Sequence, residues 1–224
     1  MKVIIFGASG MVGQGALREC LADPDVERVL SVGRSALGQQ HPKLREIVHP
    51  NLLELASIEP DLTGYDACFY CLGVSSAGMS EDRYTSITYD LTMVVAGTLV
   101  KLNRGMTFVF VSGKGTDSSE RGRSMWARVK GRTENALLMH PFKAVYMFRP
   151  GAIIPMHGVK SKTGWYNVIY TATQPVYPVL KHFFPGSVTT TEQLGRAMLV
   201  VAKRGYPRKI LEGIDISSLP DRPL

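Results

Sequence analysis

The sequence predicts an α/β domain built on a doubly wound parallel sheet, and three observations carry that prediction. Strand-like and helix-like patterns alternate along the first two thirds of the chain, the order expected of such a sheet. The unbroken apolar run Val3-Ile4-Ile5-Phe6 suits a parallel strand covered on both faces. That run leads into Gly7-Ala8-Ser9-Gly10-Met11-Val12-Gly13, a G-x-x-G-x-x-G turn that opens a helical pattern from Met11 to about Leu21. In such a turn Gly7 permits a tight reversal, Gly10 lets a pyrophosphate approach the backbone, and Gly13 lets helix and strand pack closely. The free N–H groups at the helix start then face phosphates. Gly7, Ser9, Gly10, Met11, Val12 and Gly13 are therefore the candidate dinucleotide contacts.

A second strand, Arg28 to Val32, ends in Gly33-Arg34-Ser35, about twenty residues past the glycines, where a ribose-reading residue belongs. An acidic residue there would accept from ribose hydroxyls and point to NAD. Arg34 cannot accept, but it can pair with a 2′-phosphate, so the sequence predicts NADP with NAD as the alternative. Its plain alternative is a solvated charge at a strand end.

Arg45 to Val48 reads as a third strand, followed by a helical stretch near Leu52 to Ile58. Asp66 to Leu72 reads as a fourth strand, and a long helix from about Glu81 to Leu102 follows it. The fourth strand runs into Gly73-Val74-Ser75-Ser76-Ala77-Gly78, small residues that let backbone lie close to a ligand, so Leu72 and Gly73 join the candidate contacts. Thr107 to Val111 is the fifth strand and delivers Ser112 at its carboxyl end, where ligands of open α/β sheets sit. A basic, glycine-containing loop, Gly113 to Arg123, precedes a helix from about Ser124 to Leu138. Lys143 to Phe148 is the sixth strand, running into Arg149-Pro150-Gly151. Pro150 and Gly151 fix the bend; the turn resembles one that brings the chain past a nicotinamide, which would put the Ile153 and Ile154 backbone beside it.

From Gly151 the pattern changes. Trp165 to Phe184 is aromatic and broken by prolines, Thr189-Thr190-Thr191-Glu192 caps a helix reaching about Lys203, and Arg208 to Leu211 suits an edge strand. The expectation is one domain over residues 1–224, with 151–224 as a small cover on the substrate side. The aromatic stretch would wall a cleft, or alternatively touch lipid peripherally.

Composition fits this reading. The chain has 224 residues, 45% hydrophobic and 20% charged, which suits one globular domain with a sizeable core. A formal charge of +7 favours anionic partners, and dinucleotide phosphates suffice to explain it. No motif for reading RNA or DNA accompanies the basic residues, so no nucleic-acid partner is expected. No run of eighteen apolar residues marks a membrane span, and Met1 leads at once into the first strand, so a cytoplasmic location is expected. Cys68 and Cys71 form a C-x-x-C on a strand, where positions three apart point to opposite faces; they read as buried small hydrophobes. His49, His140 and His157 lack ligand spacing, His182 reads as a surface or packing residue, and no metal is expected.

The motifs Gly7-Ala8-Ser9-Gly10, Cys71-Leu72-Gly73, Val111-Ser112, Val129-Lys130-Gly131 and Arg149-Pro150-Gly151 together resemble the atypical short-chain dehydrogenases/reductases, the Tat-interacting-protein-like and nucleoside-diphosphate-sugar-epimerase-like proteins with a Rossmann fold. The resemblance covers roughly Met1 to Ile154. It implies that Ser112 polarises a substrate carbonyl and that Lys130 holds the nicotinamide ribose. It also implies a Tyr four residues before the Lys, as proton donor, and there the chain departs: Trp126-Ala127-Arg128-Val129-Lys130 places an indole where the phenol belongs. An indole N–H is no acid or base near neutral pH.

Three functional classes stay open. One is an oxidoreductase acting on a small carbonyl or alcohol, its acid displaced to water or another Tyr. Tyr166 and Tyr170 are candidates for that acid, with Tyr84 and Tyr89 weaker ones. Another is a catalytically inactive NADP-binding regulator or redox sensor whose state a partner reads. The third is a dimeric scaffold built on the two long helices. The substrate, the regulatory partner and the oligomeric state are not named by the sequence.

Overall fold

The computed structural model describes residues 1–158 and 187–221. Its framework is a seven-stranded parallel sheet of β1 (Lys2–Phe6), β2 (Arg28–Gly33), β3 (Leu44–Val48), β4 (Ala67–Tyr70), β5 (Thr107–Val111), β6 (Ala144–Arg149) and β9 (Ile210–Glu212). The order is β3-β2-β1-β4-β5-β6-β9. A separate parallel pair is formed by β7 (Ala152–Ile154) and β8 (Val188–Thr190). The helices are α1 (Met11–Ala22), α2 (Glu81–Thr85), α3 (Leu91–Leu102), α4 (Met125–Leu138), α5 (Thr191–Arg204) and α6 (Gly213–Ser218).

Alternation along the buried strands builds two core layers. On one face Val3, Ile5, Phe69, Val109 and Phe148 pack against Ala16 and Leu17 of α1 and Leu194 and Met198 of α5. On the other, Ile4, Phe6, Tyr70 and Phe108 meet Val95 and Leu99 of α3 and Leu137 of α4. Covering both faces with helices is the doubly wound arrangement the sequence predicts. Cys68 lies in the second layer and Cys71 against the first, so the two thiols do face opposite ways.

Helix α5 starts at a capping box, with the Thr190 hydroxyl accepting from the Gln193 N–H and the Gln193 side chain accepting from the Thr190 N–H. Lys203 and Arg204 in its last turn complement the helix dipole. It packs directly on α1: a Cβ added at Gly15 would fall 2.6 Å from the Thr191 carbonyl oxygen. Together with β9, which extends the sheet beyond β6, α5 belongs to the framework. The capped helix and the edge strand expected in 151–224 thus pack into the main sheet layers. Trp165 to Phe184, with Tyr166, Tyr170 and His182, lies outside the described residues.

Several boundaries move for local reasons. The stretch predicted as a helix near 52–58 becomes a 3₁₀ helix, Ala56–Leu62, as Pro60 lacks an N–H to donate and restricts its predecessor. The predicted helix from Glu81 to Leu102 is continuous but contains a π turn, Ser86–Asp90, between α2 and α3. Strand β4 stops at Tyr70, although the Cys71 N–H still donates to the Phe6 carbonyl at 2.9 Å. The edge strand falls at Ile210–Glu212, not Arg208–Leu211. No helix among the described residues is long and apolar enough to cross a membrane.

Candidate functional site

Because every strand of the main sheet is parallel, all its carboxyl ends lie along one edge. The chain turns outward from β1 in two directions, through β2 and β3 on one side and β4, β5 and β6 on the other. That reversal falls between β1 and β4, the usual ligand position in open α/β sheets. Gly7 to Gly13, Arg34, Leu72 and Gly73, Ser112, and Pro150 follow β1, β2, β4, β5 and β6 respectively, and Arg149 is the last residue of β6. With neighbouring strands ~4.8 Å apart, the glycine turn and Ser112 are separated by roughly two strand spacings.

The turn after β1 is built around close backbone approaches. Gly7 sits at φ +84°, and a Cβ there would lie 2.9 Å from the Cys71 carbonyl carbon and Leu72 nitrogen. A Cβ at Gly13 would lie 2.1 Å from the Gly7 carbonyl oxygen. The Gly10 N–H donates to that oxygen at 2.9 Å, and the Gly10 carbonyl accepts from the Gln14 N–H at 2.8 Å. Gly10 is the N-cap of α1 and supplies no side chain to it, and the first turn holds no acidic residue. The N–H groups of Met11, Val12 and Gly13 thus have no intrahelical acceptor, and they stand at the positive end of the dipole. Helix α5, by contrast, closes its own start with side chains.

Beside this turn, along α1 and the loop after β2, lies a hollow of about 740 Å³ whose lining includes Ser9, Gln14, Arg18, Ser35, His41 and His157. Arg34 is exposed next to Ser35 and, among the described residues, has no ion pair. It is not one of the lining side chains; Ser35 is. Gly73 has open space around its Cα. The Pro150 carbonyl accepts from the Lys114 N–H at 2.8 Å, and Ile153 pairs with Thr189 in the small sheet while packing against the α1 layer.

Ser112 and Lys130 are brought together, as their placement on β5 and α4 requires. The Lys130 ammonium donates to the Ser112 main-chain carbonyl. Burial pulls Lys130 down from 10.5 to about 8, and the Glu134 carboxylate partly opposes that. The Ser112 hydroxyl lies 2.5 Å from Glu134 Oε1 and 3.2 Å from the Phe148 carbonyl oxygen. Both partners are acceptors, so in this arrangement its single hydrogen is committed within the protein. It offers another molecule acceptor capacity, not the carbonyl-polarising donor that the family resemblance implies.

Glu134 was not singled out by sequence reading. It is fully buried and receives the Arg149 guanidinium, with Nε at 3.1 and 3.2 Å from its two oxygens and Nη2 at 2.5 Å from Oε2. Arg149 also donates to Ser118 Oγ at 2.6 Å and lies 3.4 Å from Glu212. Its guanidinium is held above its ordinary value, chiefly by the hydrogen bond to Glu134. The available sequence signal was the spacing Lys130 to Glu134, which puts an acid one turn beyond the lysine on the same helix face.

Trp126 stands in the first turn of α4, half-buried, and a Cβ at Gly115 would come 3.5 Å from its ring. Tyr84 is buried, and desolvation raises its phenol. The Tyr89 ring is covered by the Arg132 guanidinium at 4.3 Å. His49 Nε2 lies 2.6 Å from the Glu54 carbonyl oxygen, and His157 Nε2 lies 2.7 Å from Glu192. Among the described residues no cluster of His, Cys, Asp or Glu could hold a metal ion.

No protein-family model matches the chain. Protein HTATIP2 of Rattus norvegicus is 26% identical over 156 residues, 68% of this chain and 63% of that protein, so the chain matches less than two thirds of that relative's length. Among solved structures, WbmF of Bordetella bronchiseptica in complex with NAD+ superposes with a TM-score of 0.67 at 17% identity, covering 97% of this chain and 76% of that one. Gre2 of Candida albicans in complex with NADPH gives 0.68 at 13% identity, covering 95% and 78%. By sheet order and likeness to these structures the chain has a Rossmann fold, and in sequence it is similar to HTATIP2.

Proposed function

We propose that this chain binds a nicotinamide dinucleotide, NADP(H) in preference to NAD(H), and acts as an oxidoreductase on a small carbonyl or alcohol. The observation that carries the proposal is the start of α1. It is uncapped, free of acidic residues, and set on the Gly7–Gly13 turn where the parallel sheet reverses. Three unpaired N–H groups aligned with a helix dipole suit a pyrophosphate. WbmF and Gre2, which share the fold, are solved with NAD+ and NADPH respectively.

The residues fit such a cofactor. Gly7, Ser9, Gly10, Met11, Val12 and Gly13 would hold the pyrophosphate, and Arg34 with Ser35 would meet an adenosine 2′-phosphate. Leu72, Gly73, Pro150 and Ile153 would border the rest of the molecule, and Lys130 its nicotinamide ribose. When bound, the cofactor supplies or accepts hydride. Protein groups must orient the substrate oxygen and move its proton.

Trp126 favours a second reading, an NADP-binding regulator without turnover, because the usual proton donor is missing. Fluorescence titration with NADPH and NADH, followed by an aldehyde, ketone and quinone panel, separates the two. Binding with turnover supports the oxidoreductase, binding without turnover the regulator, and no binding defeats both.

A further inference from the structure

Among the described residues Lys130 is placed to do what the absent phenol would do, and the inference rests on the cofactor reading above. The Trp126 indole cannot give up a proton near neutral pH. The Ser112 hydrogen points to Glu134 or to the Phe148 carbonyl. Tyr84 is buried and Tyr89 lies under Arg132. Lys130 Nζ sits against the carbonyl of Ser112, just past the end of β5 on the ligand edge of the sheet. An ammonium has three N–H groups, and this contact uses one.

We propose that Lys130 Nζ is the proton carrier of this site, giving its proton to the oxygen of a carbonyl undergoing reduction. As the carbonyl carbon gains hydride, its oxygen takes one proton: an N–H bond at Nζ breaks, an O–H bond forms, and the electron pair stays on nitrogen. Water then returns the amine to ammonium. In the oxidation direction the neutral amine takes the hydroxyl proton.

The surroundings permit both protonation states. On its own helix Lys130 faces Glu134; from β6 comes Arg149, which engages Glu134 through both oxygens, and from the end of β9 comes Glu212, 3.4 Å from Arg149. The carboxylate nearest the lysine is thus already shared with a guanidinium and the Ser112 hydroxyl. It does not pin the ammonium in a tight ion pair. Burial lowers Lys130 to about 8, close to the working range of a general acid.

The test begins with the wild-type protein and NADPH alone. Absence of binding defeats the cofactor reading and takes this inference with it. Given binding, lysine labelled with ¹³C at Cε is titrated by NMR in the protein without cofactor, the Lys130 signal being assigned by its loss in Lys130→Arg or, if that variant does not fold, in Lys130→Gln. The expected midpoint is near pH 8.

Arg keeps the positive charge but does not deprotonate. Lys130→Arg should therefore bind NADPH within about threefold of wild type and lose roughly 100-fold or more in carbonyl reduction, the scale of general acid catalysis. Its residual rate should lack the wild-type decline above about pH 8. Adding Trp126→Tyr to Lys130→Arg should recover turnover by supplying a phenol. An ordinary lysine midpoint, unchanged turnover in Lys130→Arg, or NADPH binding by wild type without turnover would each overturn the inference while leaving the binding site standing.

Discussion

Replacing Glu134 with Gln tests the buried network behind the candidate site. The carboxylate is fully buried and takes three contacts from Arg149 and one from Ser112. Gln keeps the shape and one acceptor oxygen but removes the charge, leaving Arg149 with Ser118 and a half-exposed Glu212 at 3.4 Å. Removing one member of a buried ion pair costs about 3–5 kcal/mol; because Gln preserves part of the hydrogen bonding, about 3 kcal/mol is expected. In a chain of this size that lowers the melting temperature by about 6–12 °C.

Urea unfolding of wild type, Glu134→Gln, Arg149→Met and the double variant would measure the coupling. The double variant removes both charges, so it should be less destabilised than the sum of the singles by about 2 kcal/mol. Additive effects, or a Glu134→Gln cost under about 1 kcal/mol, would refute the reading of Glu134 and Arg149 as a coupled buried ion pair.

Three further substitutions probe other parts of the account. Gly10→Asp places an acceptor and a negative charge at the uncapped start of α1, where an added Cβ meets only the Gly7 carbonyl oxygen at 3.4 Å. Thermal melts should show unchanged or raised stability, by up to ~1 kcal/mol, while NADPH binding is lost. Arg34→Asp should shift preference from NADPH towards NADH, by about tenfold or more in the ratio of dissociation constants, for loss of one charged pair to phosphate; an unchanged ratio would refute the 2′-phosphate role. For Lys130→Met the sign follows from the lowered value. Between about 8 and 10.5 the unfolded chain holds more protons than the folded one, so burial of this lysine destabilises the fold fully below about pH 8, and the penalty fades as pH rises towards 10.5. Its ceiling is about 3 kcal/mol, and losing the Nζ contact with Ser112 offsets part of it. Lys130→Met should therefore be about 1–2 kcal/mol more stable than wild type at pH 7, with the gap closing by pH 10.5 in paired denaturation curves.

The first half of the site was legible because its chemistry is local. Val3 to Phe6 and the three glycines that follow specify strand, reversal and helix start within one continuous stretch, and the close approaches at Gly7 and Gly13 involve that stretch and Cys71-Leu72 just past β4. The Thr107–Val111 strand was readable for the same reason, being a short apolar run with Ser112 at its exit. The Arg149, Glu134 and Ser112 network was not, since its members come from β6, α4 and the end of β5 and meet only when the sheet is assembled. The same holds for α5. Its capping sequence was plain, but its position against α1 depends on Gly15 and Gly195 letting two helices approach across a long separation in the chain. The 3₁₀ helix at Ala56–Leu62 marks the opposite case, in which a local residue, Pro60, outweighs an apolar pattern.

The most direct test of the central claim is isothermal calorimetry of the purified protein with NADPH and NADH, repeated with Gly10→Asp. One NADPH per chain, bound more tightly than NADH and abolished in the variant while its melting curve stays cooperative, is the predicted result. No heat with either nucleotide, or binding that Gly10→Asp leaves intact, would contradict the assignment of the α1 start as the phosphate site.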